Sequence, residues 1–505
     1  MDAEQIAVAL KLDKASDVPL YAQIKEILLA EITEGRLAEG QRLPPVRRLA
    51  ELSGLNAMTI ARAYKELAEA GAIAGRGALG TFVLARQPAP APVPSLREPR
   101  DLPALRADYA SRDVDTFRRM VQASDGPGMI AFTRAYPDAS VIDTASFERH
   151  LKAAIDQRPD YAYSYISPAG LPSLREAIAA TMNASRTLRL APDNIVVTNG
   201  GQQALNLVAQ LLLSPGDTVI VERPTYFGAL ELFRNLGAEP IGVNLEQDGP
   251  DLDMLEALIR TRAPKLMFLM PTFQNPTGLT TSLEKRRAIL DLARRHGVAI
   301  VEDDCVAELR YRGKFVPSIK ALAADNDAVF YVAGMGKAYI PGIRLGFVAP
   351  PAHRISDVIK MKSISDLHTS PLYQDALEHY LAGDEAARNL GLICAHYREL
   401  LATIVEEFEQ HMPEGSALTR PEGGLNMWMT LPPGIDSIDF FLSALQRHVS
   451  ILVGAHLFSE NPDQRSVRLS FGLSDKEATI RGIRALAGVA KDLLRPVSSR
   501  FVAVV

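Results

Sequence analysis

Val332-Ala333-Gly334-Met335-Gly336-Lys337-Ala338-Tyr339-Ile340-Pro341-Gly342-Ile343-Arg344-Leu345-Gly346-Phe347 is the stretch that decides how this chain reads. Val329 to Val332 predicts a strand that runs into a glycine-rich turn, and the turn presents one lysine. A proline-glycine pair follows, then Arg344 at the start of a second apolar run. A lysine on a tight turn beside apolar strands loses hydration, which favours the neutral, nucleophilic amine. An arginine close by can fork onto a phosphate. Together they point to a lysine that condenses with a phosphorylated aldehyde, pyridoxal 5'-phosphate (PLP). A solvated lysine on a surface turn is the plain alternative. A phosphate-loop reading fails, because Tyr331 stands where that loop needs its first glycine and Ala338 where it needs Ser or Thr.

The chain has 505 residues, which predicts two or three domains. Its net charge of −5 sets up no global basic field, so any contact with nucleic acid must be local. Two cysteines, Cys305 and Cys394, argue against a disulfide framework and fit a reducing compartment. Met1 to Leu12 lacks the pattern of a secretory signal, and no apolar run approaches the roughly 20 residues of a membrane span. The expectation is a cytoplasmic protein with no membrane partner and no metal site.

Upstream, residues 16–86 read as a compact helical unit. Leu20, Ile24, Ile27, Leu28 and Ile32 recur at helical spacing, with Gly35 as the stop. Pro44-Pro45 open a second helix, Gly54 makes a turn, and Asn56 can cap a third whose inner face is Ile60, Ala63, Tyr64 and Leu67. Gly71 ends that helix. Ala72 to Ala74 and Thr81 to Leu84 predict two strands about a glycine-rich tip. Helix, short glycine turn, helix is the helix-turn-helix pattern, here with a wing. Residues 87–115 begin Gln-Pro-Ala-Pro-Ala-Pro-Val-Pro, a semi-rigid spacer. From residue 116 to 505, strands alternate with helices, which predicts an α/β body with a largely parallel sheet. Gly200-Gly201, Tyr226, Asn275-Pro276-Thr277-Gly278, Glu302-Asp303-Asp304 and Lys337 each follow a predicted strand, where such sheets bind ligands.

The head resembles the GntR family of winged helix-turn-helix DNA-binding domains. The resemblance rests on Pro19-Leu20-Tyr21, on Leu43-Pro44-Pro45-Val46-Arg47-Arg48-Leu49-Ala50, on Thr59-Ile60-Ala61-Arg62-Ala63-Tyr64 and on Gly80-Thr81-Phe82-Val83. Placed in a major groove, the third helix would offer Met58, Thr59, Arg62 and Lys65 to base edges. Arg36, Arg47 and Arg48 would meet phosphates, and Arg76 at the wing tip the minor groove. The body resembles the fold-type I aminotransferases, with a large and a smaller α/β domain, and the whole chain resembles the MocR-type regulators. That resemblance implies PLP on Lys337 as an internal aldimine. It implies Arg344 and the amides of Gly201 and Gln202 at the phosphate, Asp303 at the pyridine nitrogen, Asn275 at the ring oxygen and Tyr226 stacked on the ring. Tyr165 would reach the phosphate of a partner subunit in a homodimer, and Arg468 would fork onto a carboxylate of a small amine or amino-acid effector. The family usually has serine at Gly334 or Gly336 and tyrosine at Cys305, so a less tightly held cofactor is expected here. The function implied is a PLP-dependent transcriptional regulator that binds an operator; an active aminotransferase with a DNA-binding head is the alternative.

Overall fold

The computed structural model describes residues 2–10, 12, 19–33, 36–38, 40–69, 71–75, 80–84, 111–112, 114–158, 162–325, 327–472 and 475–495. Gly35, Arg76 and residues 87–110 of the Pro/Ala spacer lie outside the described residues, and the first helix of the body begins at Val114, inside the span read as spacer. The chain divides into two units, Met1–Glu98 and Pro99–Val505.

The head holds α1 (Ala3–Ala9), α2 (Leu20–Thr33), α3 (Val46–Ser53), α4 (Ala57–Glu69), β1 (Ile73–Gly75) and β2 (Thr81–Val83). Asn56 caps α4 through its Oδ1, which accepts the Met58 N–H at 2.8 Å. Gly54 ends α3 in the left-handed region, at φ 65°. Ile24, Leu28, Leu49, Ile60, Ala63, Tyr64 and Leu67 are buried together, as their spacing predicted. Two additions escaped that reading. The capped helix α1 sends Ile6 and Leu10 into the same core. The segment Gly40–Leu43 bonds to the outer side of β2, with Leu43 N–H donating to Thr81 O at 2.8 Å and Val83 N–H to Gln41 O at 2.9 Å. The strands pair Ile73 with Val83 and Gly75 with Thr81, one residue later at the first strand than expected.

In the body, α5 (Val114–Gln122), β3 (Ile130–Ala131), α6 (Thr144–Gln157) and α7 (Pro172–Arg186) come first. The sheet then builds up through β4 (Val196–Thr198), α8 (Gly200–Leu212), β5 (Thr218–Arg223), α9 (Phe227–Asn235), β6 (Glu239–Glu246), β7 (Gly249–Pro250) and α10 (Leu252–Arg262). It continues with β8 (Leu266–Leu269), α11 (Leu283–His296), β9 (Ala299–Asp303), α12 (Ile319–Leu322), β10 (Val329–Gly334) and β11 (Gly346–Ala349). The smaller domain follows α13 (Ile355–Asp366), α14 (Pro371–Ala382) and α15 (Glu385–His411). It comprises β12 (Ala417–Leu418), β13 (Asn426–Thr430), α16 (Ser437–Gln446), β14 (Val449–Ser450), β15 (Leu452–Val453), β16 (Ser466–Ser470) and α17 (Lys476–Leu494).

Eight strands lie in the order β4-β11-β10-β9-β8-β5-β6-β7. The central run β10, β9, β8, β5, β6 is parallel, while β11 is antiparallel to both its neighbours and β7 to β6. Val219, Ile220, Val221, Leu266, Met267, Phe268, Ile300 and Val301 are all buried, as strands covered on both faces require. The second sheet, β12-β13-β16-β15, is antiparallel and carries Arg468 on β16, paired with Trp428 and Leu452. Helix α8 begins at Gly200 itself.

The loop after β8 is fixed by a buried arginine. Arg286 on α11 has no solvent exposure and donates to Thr281 O at 2.9 Å, Pro271 O at 2.7 Å, Thr272 Oγ1 at 3.0 Å and Pro317 O at 3.0 Å. It ties both ends of the segment that carries Asn275. Arg286→Met strands several buried acceptors at about 1–3 kcal/mol each. The expected result is a loss of about 3 kcal/mol or more of stability, read as a lower urea midpoint with an unchanged m-value.

Candidate functional site

The carboxyl ends of the parallel strands open into a cavity of about 400 Å³. Gly201, Gln202, Tyr226, Asn275, Asp303, Lys337 and Arg344, seven residues singled out from sequence, line it together with Tyr136, Leu205, Met270 and Cys305. The first turn of α8 supplies Gly200, Gly201 and Gln202, whose amides have no partner within the helix, and a helix start favours an anion. Arg344 sits in the left-handed region at φ 54°. Its guanidinium lies against Gly200, where an added Cβ would come within 2.9 Å of Nη2. Helix start and guanidinium therefore face the same end of the cavity. Gly334 and Gly336 also line it and bring no hydroxyl.

Asp303, the last residue of β9, is buried, and burial pushes its carboxyl up against the opposing pull of the Cys305 thiol and of Lys337. The Cys305 N–H donates to its Oδ1 at 3.1 Å. A buried acid so placed is stabilised as the anion by a cation brought into the cavity. Cys305 stands where the family usually has tyrosine. Its thiol turns back to Asp303 and packs against α8, so that a Cβ on Gly201 would lie only 2.5 Å from Sγ. Burial pushes that thiol well up, which keeps it a donor.

Asn275 precedes a cis proline, and its Oδ1 accepts from Arg468 Nη1 at 3.2 Å. That leaves the amide nitrogen to donate into the cavity. Arg468 is 6% exposed; its other bond goes to Thr133 O at 3.0 Å, and its Nε has no partner. No carboxylate among the described residues pairs with it, and burial pulls its guanidinium down to about 10. Tyr226 folds over Gly228 and donates to Gln202 Oε1 at 3.0 Å, with its phenol pushed up to about 12 by burial. Beneath it, buried Glu222 accepts from Met270 N–H at 3.1 Å and Gln274 Nε2 at 3.2 Å and is pushed up to about 7. Neither Glu222 nor Tyr136 was found from sequence. Glu222 carries no motif, and Tyr136 enters the cavity from a segment without a strand or helix signal.

Tyr165 is not part of this cavity. It is 85% exposed and lies edge-on to His368, ring centroids 5.5 Å apart. In the head, Met58, Arg62 and Lys65 are exposed along α4, and Thr59 is half-buried. Arg62 stacks on the Tyr21 ring at 3.8 Å and pairs with Glu66 at 3.7 Å. Arg36 is paired with Glu31, Arg48 with Glu51 at 3.5 Å, and Arg47 is exposed.

Residues 137–481 match the family described as aminotransferase class I and II, and residues 20–83 match the bacterial regulatory proteins of the gntR family. The chain belongs to the class I and II aminotransferase family. Its head is a GntR domain, and this domain order is that of the MocR-type regulators. The "probable rhizopine catabolism regulatory protein MocR" of Rhizobium meliloti is 29% identical, over 94% of this chain and 95% of its own length. The 2-aminoadipate transaminase of Thermus thermophilus is 30% identical, over 75% of this chain and 95% of its own length. The crystal structure of LysN, an alpha-aminoadipate aminotransferase of Thermus thermophilus complexed with N-(5'-phosphopyridoxyl)-L-leucine, superposes with a TM-score of 0.70 at 29% identity. It covers 74% of this chain and 95% of that one. The body therefore has the fold-type I aminotransferase fold, and its cofactor is pyridoxal 5'-phosphate. The residues present fit that group: an anion-binding helix start with an arginine at one end, a buried carboxylate short of a cation, and a lysine.

The close fit of Cys305 against Gly201 gives a test of the cradle. Gly201→Ala should weaken PLP binding about tenfold or more by pushing the thiol and the first turn of α8 apart. Gly201→Ala combined with Cys305→Ala should recover most of the loss. Equilibrium titration of the three proteins with PLP checks both steps.

Proposed function

We propose that the body uses PLP to sense a small amino acid or amine, and that the GntR head, on double-stranded operator DNA, reports the outcome. When bound, PLP supplies an aldehyde that condenses with amines and a ring that withdraws electrons. The chain's own residues would divide the work around it. Lys337 would provide the amine that holds the cofactor. Asp303 keeps a proton on the ring nitrogen. Arg344 and the amides of Gly201 and Gln202 take the phosphate, Tyr226 covers the ring, and Asn275 donates to the ring oxygen.

The observation that carries the reading is Arg468: a buried guanidinium beside the cavity, joined to Asn275 and without a carboxylate of its own among the described residues. A buried cation left so is costly, and a ligand carboxylate would complete it. The same arginine would then report an occupied site to the small domain that bears it. A ligand shifts the balance of two conformations only by its difference in affinity for them. Amino acids that engage both Lys337 and Arg468 would favour one arrangement of the small domain. The second reading, a working aminotransferase, is supported by the same set, since Lys337, Asp303 and Arg468 are all present.

A second copy of the chain would complete the site. Tyr163 is 78% exposed, Tyr165 85%, Ile364 81% and Leu367 54%, and Tyr165 rests on His368 next to Leu367. Such an apolar surface fits an interface rather than open solvent. Buried in a homodimer, it would carry Tyr165 toward the neighbour's phosphate. No helix among the described residues is long and apolar enough to cross a membrane, and two heads on one dimer would bind DNA more tightly than one.

The sensing mechanism ties two readouts together. An effective amino acid should change the visible spectrum of the PLP-loaded protein and its affinity for operator DNA in the same concentration range. Arg468→Ala should weaken both responses, and Lys337→Ala should abolish cofactor trapping by borohydride. Steady keto-acid release with DNA affinity indifferent to the amino acid would establish the enzyme reading instead.

On the DNA side, Arg47 is the exposed arginine that opens α3, and Arg62 leans from α4. Arg47→Ala should reduce the salt slope of operator binding by about one while weakening all sequences alike. Arg62→Ala should relax sequence preference at one position by about 1–3 kcal/mol. Binding isotherms across a salt series, on operator and scrambled DNA, distinguish the two.

A further inference from the structure

Behind the first turn of α8 lies a side chain that none of the roles above uses. Lys362, on α13, has no solvent exposure at all. Its Nζ donates to both oxygens of Asp366 at 2.6 Å, to Gln203 Oε1 at 3.0 Å and to Thr369 Oγ1 at 2.9 Å. The same Gln203 oxygen accepts the backbone N–H of Asn199 at 2.8 Å, the residue that opens α8. Asp366 Oδ2 in turn accepts from Asn199 Nδ2 at 2.6 Å and from Gln203 Nε2 at 2.8 Å. Asn199, Gln203, Lys362 and Asp366 are thus joined in one set of bonds that holds the two residues bracketing Gly200, Gly201 and Gln202.

Lys362 is fully buried while the Asp366 side chain is 24% exposed; a pair with one charge taken wholly out of water is a poor device for simple adhesion, because apolar side chains of the same volume hold two helices as well or better. What such a pair supplies is fixed direction. Here the direction fixed is that of Asn199 and Gln203, and so of the three amides between them. Charge gives a second reason. Without Lys362, the carboxylate of Asp366 would stand uncompensated behind a helix start that must receive a phosphate, and its field would oppose the helix dipole. We propose that Lys362 is a positioning residue for the phosphate end of the cofactor site, latching the first turn of α8 through Asp366 and Gln203 while neutralising Asp366. This rests on the reading of the cavity as the PLP site.

The inference separates the phosphate from the rest of the cofactor, so pyridoxal, which lacks the phosphate, is the control ligand. The full-length chain is titrated with PLP and with pyridoxal, for wild type, Lys362→Met, and Lys362→Met combined with Asp366→Asn. Thermal unfolding of each cofactor-free protein shows whether the fold is intact. The double variant leaves no buried charge unpaired and carries the measurement if Lys362→Met alone does not fold. The expected result is a PLP affinity lower by about tenfold or more with pyridoxal affinity within about twofold of wild type, the double variant losing less than the single one. An unchanged ratio of PLP to pyridoxal affinity in the variants would overturn the proposal, whether both affinities stay constant or both fall together. Wild-type protein that takes up no PLP would overturn the reading of the cavity itself, and this inference with it.

Discussion

Three backbones meet at Gly346. A Cβ there would lie 2.7 Å from Ala333 O on one side and 2.7 Å from the Gly200 carbonyl carbon on the other. Strand β11 can therefore start between the end of β10 and the start of α8 only because this residue has no side chain. The consequence is geometric. The turn that bears Lys337 leaves β10 and returns into β11 within a dozen residues, and the arginine at its end, Arg344, is delivered against Gly200. The turn with its lysine and arginine, and a helix start more than a hundred residues earlier, share one small volume because that contact is so close.

Some buried charges of the body are matched: Arg186 pairs with Asp304 at 3.4 Å and Glu308 at 2.9 Å, and Lys362 with Asp366. At the cavity others are left open. Asp303 lacks a full counter-charge, and Arg468 has two neutral acceptors and an unpartnered nitrogen. Such groups cost folding free energy when left so, and the neighbouring networks, with the Arg286 clamp beneath the Asn275 loop, hold them in place. Incomplete pairing of charged groups at a cavity marks a place where ligands can supply the missing charges.

The head shows the contrast between charge content and charge availability. Arg36 and Arg48 pair with acidic neighbours, and Arg62 is drawn over Tyr21 and toward Glu66. These pairs are exposed and therefore weak, so a phosphate backbone can compete for the same arginines. Balanced charge on the free domain would favour binding that depends on fit rather than on a general basic field.

Local chemistry was enough to read the helix-turn-helix of the head and several parallel strands of the body, while α1, the helices after β11 and most of the smaller domain went unread. The helical spacing of Ile60, Ala63, Tyr64 and Leu67 and the Asn56 cap are signals that act within a few residues, and they place α4 nearly to the residue. The places of Tyr226, Asn275, Asp303 and Lys337 at the cavity were legible because each ends or follows a strand of the parallel run, where position in the chain already implies position at the sheet's edge; Gln202 was named through the family resemblance alone. Only the tertiary structure decided the rest. The direction of the Cys305 thiol depends on the space left by Gly201, about a hundred residues earlier. The buried state of Lys362 depends on α8 and α13 packing side by side. The roles of Glu222 and Tyr136 arise from neighbours that no local pattern announces. Sequence determines what a segment prefers; which side chains lose their water, and against which partners, is settled when distant segments pack.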